Sequence, residues 1–343
     1  MRILFVLLMV VSTLTIHGET VLVVGGAGFI GSHVNKMLHQ EGYDTVVLDN
    51  LSRGTHKAVQ HGVFIEGDIA DTALLDNLFE RYKIDAVMHF AAYIEVGESV
   101  HDPLKYYRNN VSNTINLLEA MQRHKVGVII FSSTAAIFGI PQTELVAEDH
   151  PCHPINPYGQ TKLMIEKVLQ DVAKAGGLRF SCLRYFNVAG GDPEGELKNY
   201  KTKESNLIPL LLRMVKNGNS TVTIFGTDYP TPDGTGIRDY IHVADLGAAH
   251  ILVLKQLLNG APSSYYNLGN GKGFSVREVI AAVERITGRH LQVIEGPRRP
   301  GDPAVIVANS SKAVAELGWQ QRYNTLDDIV THAWQALQGS AKR

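Results

Sequence analysis

The chain is poor in cysteine, with two thiols among 343 residues, Cys152 and Cys182, thirty positions apart and without a CxxC or a histidine at ligand spacing. That excludes a disulfide framework and gives no zinc signature, so both read as free thiols and no metal is expected. An excess of one charge sign is lacking too. The formal net charge is −2, and no overall field favours nucleic acid or an acidic membrane surface. Internal repeats, heptads and low-complexity tracts are absent. Long apolar runs are scarce: MRILFVLLMVVSTLTIHG opens the chain with one arginine and an apolar run from Ile3 to Val11, which reads like the start of a secretory signal but is too short to span a bilayer comfortably. No small-x-small cleavage site precedes Glu19. The expectation is a cytoplasmic protein. Export or membrane association is the alternative, and a misassigned start codon would produce the same text.

With 45% hydrophobic and 19% charged residues, the chain can bury one large α/β domain with a smaller partner. From Thr20 the pattern is strand, glycine turn, helix, strand. TVLVV is the continuous apolar run that a parallel strand buried on both faces requires. GGAGFIG and HVNKMLHQEGY come next, and then TVVLD. Further buried strands read as GVFIEGD, AVMHFAA, VGVIIFSS and FSCLRYFN, separated by helical stretches such as TALLDNLFERY and NTINLLEAMQRH. This alternation predicts a Rossmann-type, doubly wound parallel sheet. After Asn187 the text turns to glycine- and proline-rich segments, with helices at VREVIAAVERITG and KAVAELG, as expected of loops that cover a site.

Gly26, Gly28 and Gly31 satisfy G-x-G-x-x-G, and Gly25 begins the wider GxxGxxG. Glycine is needed because a side chain would keep the backbone from a pyrophosphate at the helix N-terminus. Asp49 ends the next strand, placed to accept hydrogen bonds from a ribose 2′-hydroxyl and to repel a 2′-phosphate, which predicts NAD over NADP. Arg53 nearby argues the other way. Asp68 and Ile69 end the third strand, where they can meet an adenine ring or form a plain turn, and HFAA, residues 89–92, ends the fourth.

In INPYGQTKLMIEK, Tyr158 and Lys162 stand four apart at the start of a helix, which at ~3.6 residues per turn puts both on one face. Alone, the pair is a common surface accident. The strand VIIFSST delivers Ser132, Ser133 and Thr134 to the sheet edge where ligands bind. A hydroxyl, a phenol and an ammonium can then converge over a nicotinamide. Lys162 and the cationic ring would both favour phenolate, drawing the tyrosine down from its ordinary value near ~10 toward the neutral range that proton transfer from an alcohol requires.

With GGAGFIGSH, LDNLSRG, EGDI, MHFAA, YYRNNV, FSST, PYGQTK, LRYFNVAG, IFGTDYPTPDGTGIRDYIHVADL, YNLGNG and PRRPGDP, the chain from about Thr20 onward resembles the extended short-chain dehydrogenase/reductase superfamily, and within it the UDP-glucose 4-epimerase family. The resemblance implies tightly held NAD and reversible C4 inversion of a UDP-hexose through a 4-ketose. It assigns Tyr158, Lys162 and Thr134 to catalysis. Motif matching places the cofactor on Gly25, Gly28, Phe29, Ile30, Gly31, Asp49, Asn50, Asp68, Ile69, Phe90, Ala91, Ala92, Asn109, Thr134, Tyr158, Lys162 and Phe186. It places the UDP-sugar on Asn187, Asn206, Phe225, Arg238, Tyr240, Arg299, Asp302 and Ile306. Arg238 and Arg299 suit a diphosphate held without metal, although either alone would read as a solvated arginine, Phe225 as core, and His89 and His242 as structural.

The domains implied are an extension at 1–18, a NAD-binding domain at 19–187 with 236–260 returning to it, and a nucleotide-sugar domain at 188–235 and 261–338. A homodimer through NTINLLEAMQRH and LMIEKVLQDVAKA is expected by analogy. The chain departs from the family at Val24, where a hydroxyl is usual, and at Ile94, where a lysine is common. It departs again at Ile306, where glucose-restricted members carry tyrosine, so N-acetylated hexoses become a second substrate class. The rival readings are a 4,6-dehydratase, whose Asp-Glu pair is replaced here by Ala135 and Ala136, a UDP-glucuronate epimerase or decarboxylase, and a catalytically silent NAD sensor.

Overall fold

The computed structural model describes residues 18–200, 206–299 and 301–339; residues 1–17 of the apolar run lie outside them. The first half alternates as read: β1 (Thr20–Val24), α1 (Phe29–Gln40), β2 (Asp44–Asp49), β3 (Val63–Glu66), α2 (Thr72–Arg81), β4 (Ala86–His89). Short helices α3 (Val96–His101) and α4 (Pro103–Tyr106) lead through a π-helical turn at Tyr107–Ser112 into α5 (Asn113–Arg123) and β5 (Val128–Thr134). Then come β6 (Leu145–Val146), the long α6 (Pro157–Ala175), β7 (Arg179–Tyr185) and β8 (Asn187–Ala189). The second half holds α7 (Leu207–Lys216), β9 (Thr221–Phe225), β10 (Ile237–His242), α8 (Val243–Leu258) and β11 (Ser264–Leu268). It continues with β12 (Gly273–Ser275), α9 (Val276–Thr287), β13 (Gln292–Gly296), β14 (Val305–Ala308), α10 (Ser311–Leu317) and α11 (Leu326–Gln338).

Seven parallel strands form the main sheet in the order β11-β7-β5-β4-β1-β2-β3. Successive β1 residues point to opposite faces, and both faces are covered. Val21 and Val23 pack with Val34 and Leu38 of α1 and with Leu246 and Leu254 of α8. Leu22 and Val24 pack with Leu75 of α2, Leu117 of α5 and Ile165 of α6. The edge strand β11 comes from a segment that sequence reasoning gave to the sugar-binding part, yet it pairs with β7. Of the 236–260 segment, α8 covers the main sheet while β10 lies in a smaller one.

That smaller sheet runs β12-β10-β14-β6, with β8 also on β10, and β13 pairs β9. It laces the two halves, since β6 and β8 come from the first half and β10 and β14 from the second. Lys36 adds a tie: the buried ammonium on α1 meets Asp192 at 2.8 Å, Glu194 at 2.6 Å and Glu196 at 2.9 Å, which fastens the loop after β8. Among the described residues no helix is long and apolar enough to cross a membrane.

Among the described residues, His89, His242 and His250 are buried in the neutral form. Burial lowers His89 and His242 to about 3 and His250 to about 4, from an ordinary value of 6.5. A depressed histidine stabilises the fold fully above 6.5, and the contribution is lost as pH falls from there toward the folded value, because the unfolded chain takes up the proton first. Each is worth about 1.4 kcal/mol per pH unit across that window. Denaturant titrations between pH 7 and 4 are expected to show a steep loss of stability, and His250→Gln should flatten part of that slope.

Candidate active site and cofactor groove

The carboxyl ends of β4, β1 and β2 lie side by side and open a groove lined by Gly25, Gly28, Asp49, Asn50, Arg53, Asp68, Ile69, Phe90, Ala91, Ala92, Tyr93 and Asn109. Gly25 has φ +82°, and a Cβ there would sit 2.5 Å from the Ala91 nitrogen. A Cβ on Gly31 would collide with the Gly25 carbonyl oxygen. The turn therefore demands glycine twice, and α1 starts at Gly28 with no side-chain cap, leaving its first N–H groups to an anion. Asp49 Oδ2 accepts Ala27 N–H at 2.9 Å and Oδ1 accepts Leu51 N–H at 2.8 Å. Burial raises this carboxyl and the two N–H groups oppose the rise; each oxygen keeps a lone pair for a ribose hydroxyl. Asp68 accepts Asn50 Nδ2 at 2.6 Å and Ala70 N–H at 2.8 Å. These donors and clearances fit a dinucleotide.

Other expected cofactor residues lie off this groove. Phe29 lines a second cavity with Val188, Gly190 and Asn206, Ile30 packs into the core, and Phe186 is buried beside Ala135, Phe138 and Leu163.

The alternation of β5 sorts its hydroxyls. Ser133 turns inward and donates to Glu166 Oε1 at 2.5 Å, whereas Ser132 and Thr134 share the opposite face. Asn156 caps α6 by accepting Gly159 N–H at 2.8 Å, so Tyr158 falls in the first turn. Thr134 Oγ1 accepts Ala136 N–H at 3.1 Å, and its O–H is left for the Tyr158 phenol oxygen. One turn on, Lys162 Nζ donates to the Ser132 carbonyl at 2.7 Å and lies 4.8 Å from the Phe131 ring centroid.

Burial works against the phenolate that the sequence predicts. Burial pushes the Tyr158 phenol up to about 12, with Thr134 partly opposing and Glu95 adding to the rise. Burial also brings Lys162 down to about 7. Lys162 donates to a carbonyl, and sequence spacing carries no measure of the burial that raises the phenol.

Three further residues escaped sequence reasoning. Asn110, in the π-helical turn, accepts Tyr93 N–H at 2.9 Å and donates to Tyr93 O at 2.9 Å and Thr161 Oγ1 at 3.2 Å. It thereby ties the groove wall to α6, and the doubled asparagine of YYRNNV was its only trace. Glu166, four residues after Lys162, forms a buried two-pronged pair with Arg184, at 3.0 and 2.8 Å.

At the sugar end, Arg238 pairs with Asp302 and donates to Ile237 O at 2.7 Å. Ile306 lies in register with Arg238 across β10 and β14, so both face one side of the small sheet. Asn187 donates to Asp239 O at 3.1 Å. The Arg299 guanidinium lies 4.3 Å from the Phe225 ring centroid; Phe225 is 41% exposed and not core. Tyr240 is buried, and its phenol is raised to about 12 by burial. Asn206 is exposed at the N-cap of α7.

A doubly wound sheet that offers a dinucleotide groove beside a tyrosine and lysine one helical turn apart defines an NAD-dependent enzyme of the short-chain dehydrogenase/reductase type. The chain belongs to the NAD dependent epimerase/dehydratase family, whose sequence profile matches residues 21–269. The UDP-glucose 4-epimerase of Halalkalibacterium halodurans is 48% identical over 314 residues, 92% of this chain and 94% of that protein. The crystal structure of UDP-glucose 4-epimerase from Brucella ovis in complex with NAD is 47% identical, with a TM-score of 0.90 over 92% of this chain and 98% of that one. The UDP-Glc/GlcNAc 4-epimerase of Campylobacter jejuni is 43% identical, with a TM-score of 0.83 over 93% of this chain and 99% of that one.

Because the Thr134 hydrogen bond lowers the phenol, Thr134→Val should move the alkaline rise of turnover to higher pH and slow the reaction at pH 7 by about 10- to 100-fold. The pH profile of kcat/KM checks this; an unmoved profile would remove Thr134 from the proton path.

Proposed function

We propose that the protein interconverts UDP-glucose and UDP-galactose by inverting C4, with NAD held throughout the turnover. The observation that carries this reading is the hydrogen bond of the half-buried Tyr158 phenol with Thr134, one turn before Lys162 and at the end of a strand flanking the dinucleotide groove. Bound in the groove of Gly25, Gly28, Asp49 and Asp68, NAD would supply a reversible hydride acceptor for C4. The chain's own part is proton transfer and positioning.

Tyr158 Oη, as phenolate, accepts the proton of the C4 hydroxyl and later gives it back. A phenol at about 12 is almost wholly protonated at neutral pH, so phenolate must be favoured by positive charge arriving beside it. A cationic nicotinamide and a protonated Lys162 each do so. Thr134 orients the phenol and the reacting oxygen. Asn187, Asn206, Phe225, Arg238, Tyr240, Arg299 and Asp302 hold the UDP, with the arginine forks matched to the diphosphate. Binding energy from the nucleotide steadies a sugar that must turn between its two faces. Gly31 acts on the cofactor through the shape of the turn, while Phe29, Ile30 and Phe186 support the elements around the groove from outside it.

Ile306 supports acceptance of N-acetylated hexoses, because it is smaller than tyrosine and packs on the wall that carries Ala135. Ala135 and Ala136 supply no carboxylate for a dehydratase, and the retained Tyr158 and Lys162 disfavour a silent sensor. NAD and UDP-sugars are intracellular, which favours the cytoplasm. Val100, Leu104 and Ile115, exposed on α3, α4 and α5, support pairing of two subunits near α5 and α6.

Purified protein should convert UDP-galactose to UDP-glucose without added reductant. Tyr158→Phe should cut this by about 10²- to 10⁴-fold while NAD stays bound, as read by cofactor release on denaturation; a variant of undiminished rate ends the assignment. Ile306→Tyr should lower turnover of UDP-GalNAc by at least about tenfold relative to UDP-galactose, and equal losses on both would remove the selectivity argument.

A further inference from the structure

The dinucleotide groove has two walls. One is the loop after β2, which contributes Asp49, Asn50 and Arg53; the other is the loop after β4, which contributes Phe90 to Tyr93. The end of β1 and the Gly25–Gly28 turn lie between them. Arg53 reaches from the first wall to the second. Its Nη2 donates to Glu98 Oε2 on α3 at 3.2 Å, and its guanidinium lies 5.6 Å from the Tyr93 ring centroid. Glu98 is fixed on its own side, where Oε1 accepts Lys105 Nζ at 2.6 Å and Oε2 accepts the Tyr106 hydroxyl at 2.9 Å. Those donors hold its carboxyl well below the usual glutamate range, so it is charged throughout the neutral region. Lys105 also lies 4.5 Å from the Tyr93 ring centroid, which braces the ring between two cations.

We propose that Arg53 and Glu98 form a clasp that joins the two walls and slows the departure of NAD, a proposal that rests on the cofactor assignment above. A dinucleotide held in this groove would lie between the two walls, and parting them would ease its exit. The clasp also occupies the Arg53 guanidinium with a carboxylate, so Arg53 is not left to receive a 2′-phosphate, and the NADP signal it gave in the sequence falls away. Partial exposure makes the clasp sensitive to salt.

The test is the first-order release of NAD from the purified holoenzyme, monitored by dilution into an excess of an NAD-scavenging enzyme. Arg53→Met, which keeps the stem over Tyr93, and Glu98→Gln should each release NAD about two- to fivefold faster. The double variant should be no faster than the faster single one, because the two act as a unit. Raising salt should hasten release from the wild type but not from Arg53→Met. A general loosening of the fold would give additive effects and retained salt sensitivity, and that result overturns the clasp. So does release at the wild-type rate in both single variants. Failure of the wild type itself to retain NAD would instead overturn the cofactor reading beneath it.

Discussion

The pairing of Glu166 with Arg184 decides where everything else in the site can be. Glu166 lies on α6 one turn after Lys162, and Arg184 lies on β7. Ser133 of β5 donates to the same carboxylate, and Arg184 also donates to the Glu148 carbonyl at 2.9 Å. One ion pair thus binds a helix, two strands and the approach to α6 at a single buried point. Removing one partner of such a pair leaves a buried charge uncompensated, at a cost of about 3–5 kcal/mol. The pair therefore specifies register more than it adds stability, since α6 cannot slide or rotate without stranding a charge. With α6 fixed, Tyr158 must meet Thr134 and Lys162 must meet the Ser132 carbonyl.

The same burial sets the chemistry. Desolvation disfavours the charged form of every group, so it moves a phenol and an ammonium in opposite directions. Tyr158 rises to about 12 and Lys162 falls to about 7. Burial thus favours the neutral form of both, whereas alcohol oxidation needs a phenolate. A cationic ring arriving beside them favours the phenolate, and a phenolate in turn favours a charged lysine. On the proposed mechanism the reactive state is thus coupled to cofactor occupancy.

Sequence carried some of this well and some not at all. The glycine turn was legible because its close backbone approaches exclude every other residue, and β1 because burial on both faces demands an unbroken apolar run. Tyr158 and Lys162 were legible from helical spacing together with the strand that precedes them. Their pKa values were not, because spacing says nothing about solvent. Glu166 and Arg184 were invisible for a similar reason: charged residues at helical and strand positions read as solvated until tertiary packing buries them. Strands of two or three residues, such as β6 and β8, are too short for any periodicity to show. The edge strand β11 was hidden by distance along the chain, since 78 residues separate it from the end of β7 and only topology returns it to the sheet.

The small sheet, stitched by main-chain hydrogen bonds from both halves of the polypeptide, bears on how an inversion can happen at all. Strand β6 belongs to the segment leading from Thr134 to Tyr158, and it is zipped to β14, which carries Ile306. The walls that carry Thr134, Tyr158 and Ile306 are therefore laced together and resist hinging apart. On the proposed function, what swings is the guest: a pyranose pivoting on its phosphate tether inside a stiff cage, with the cage deciding which tumbling ligands fit.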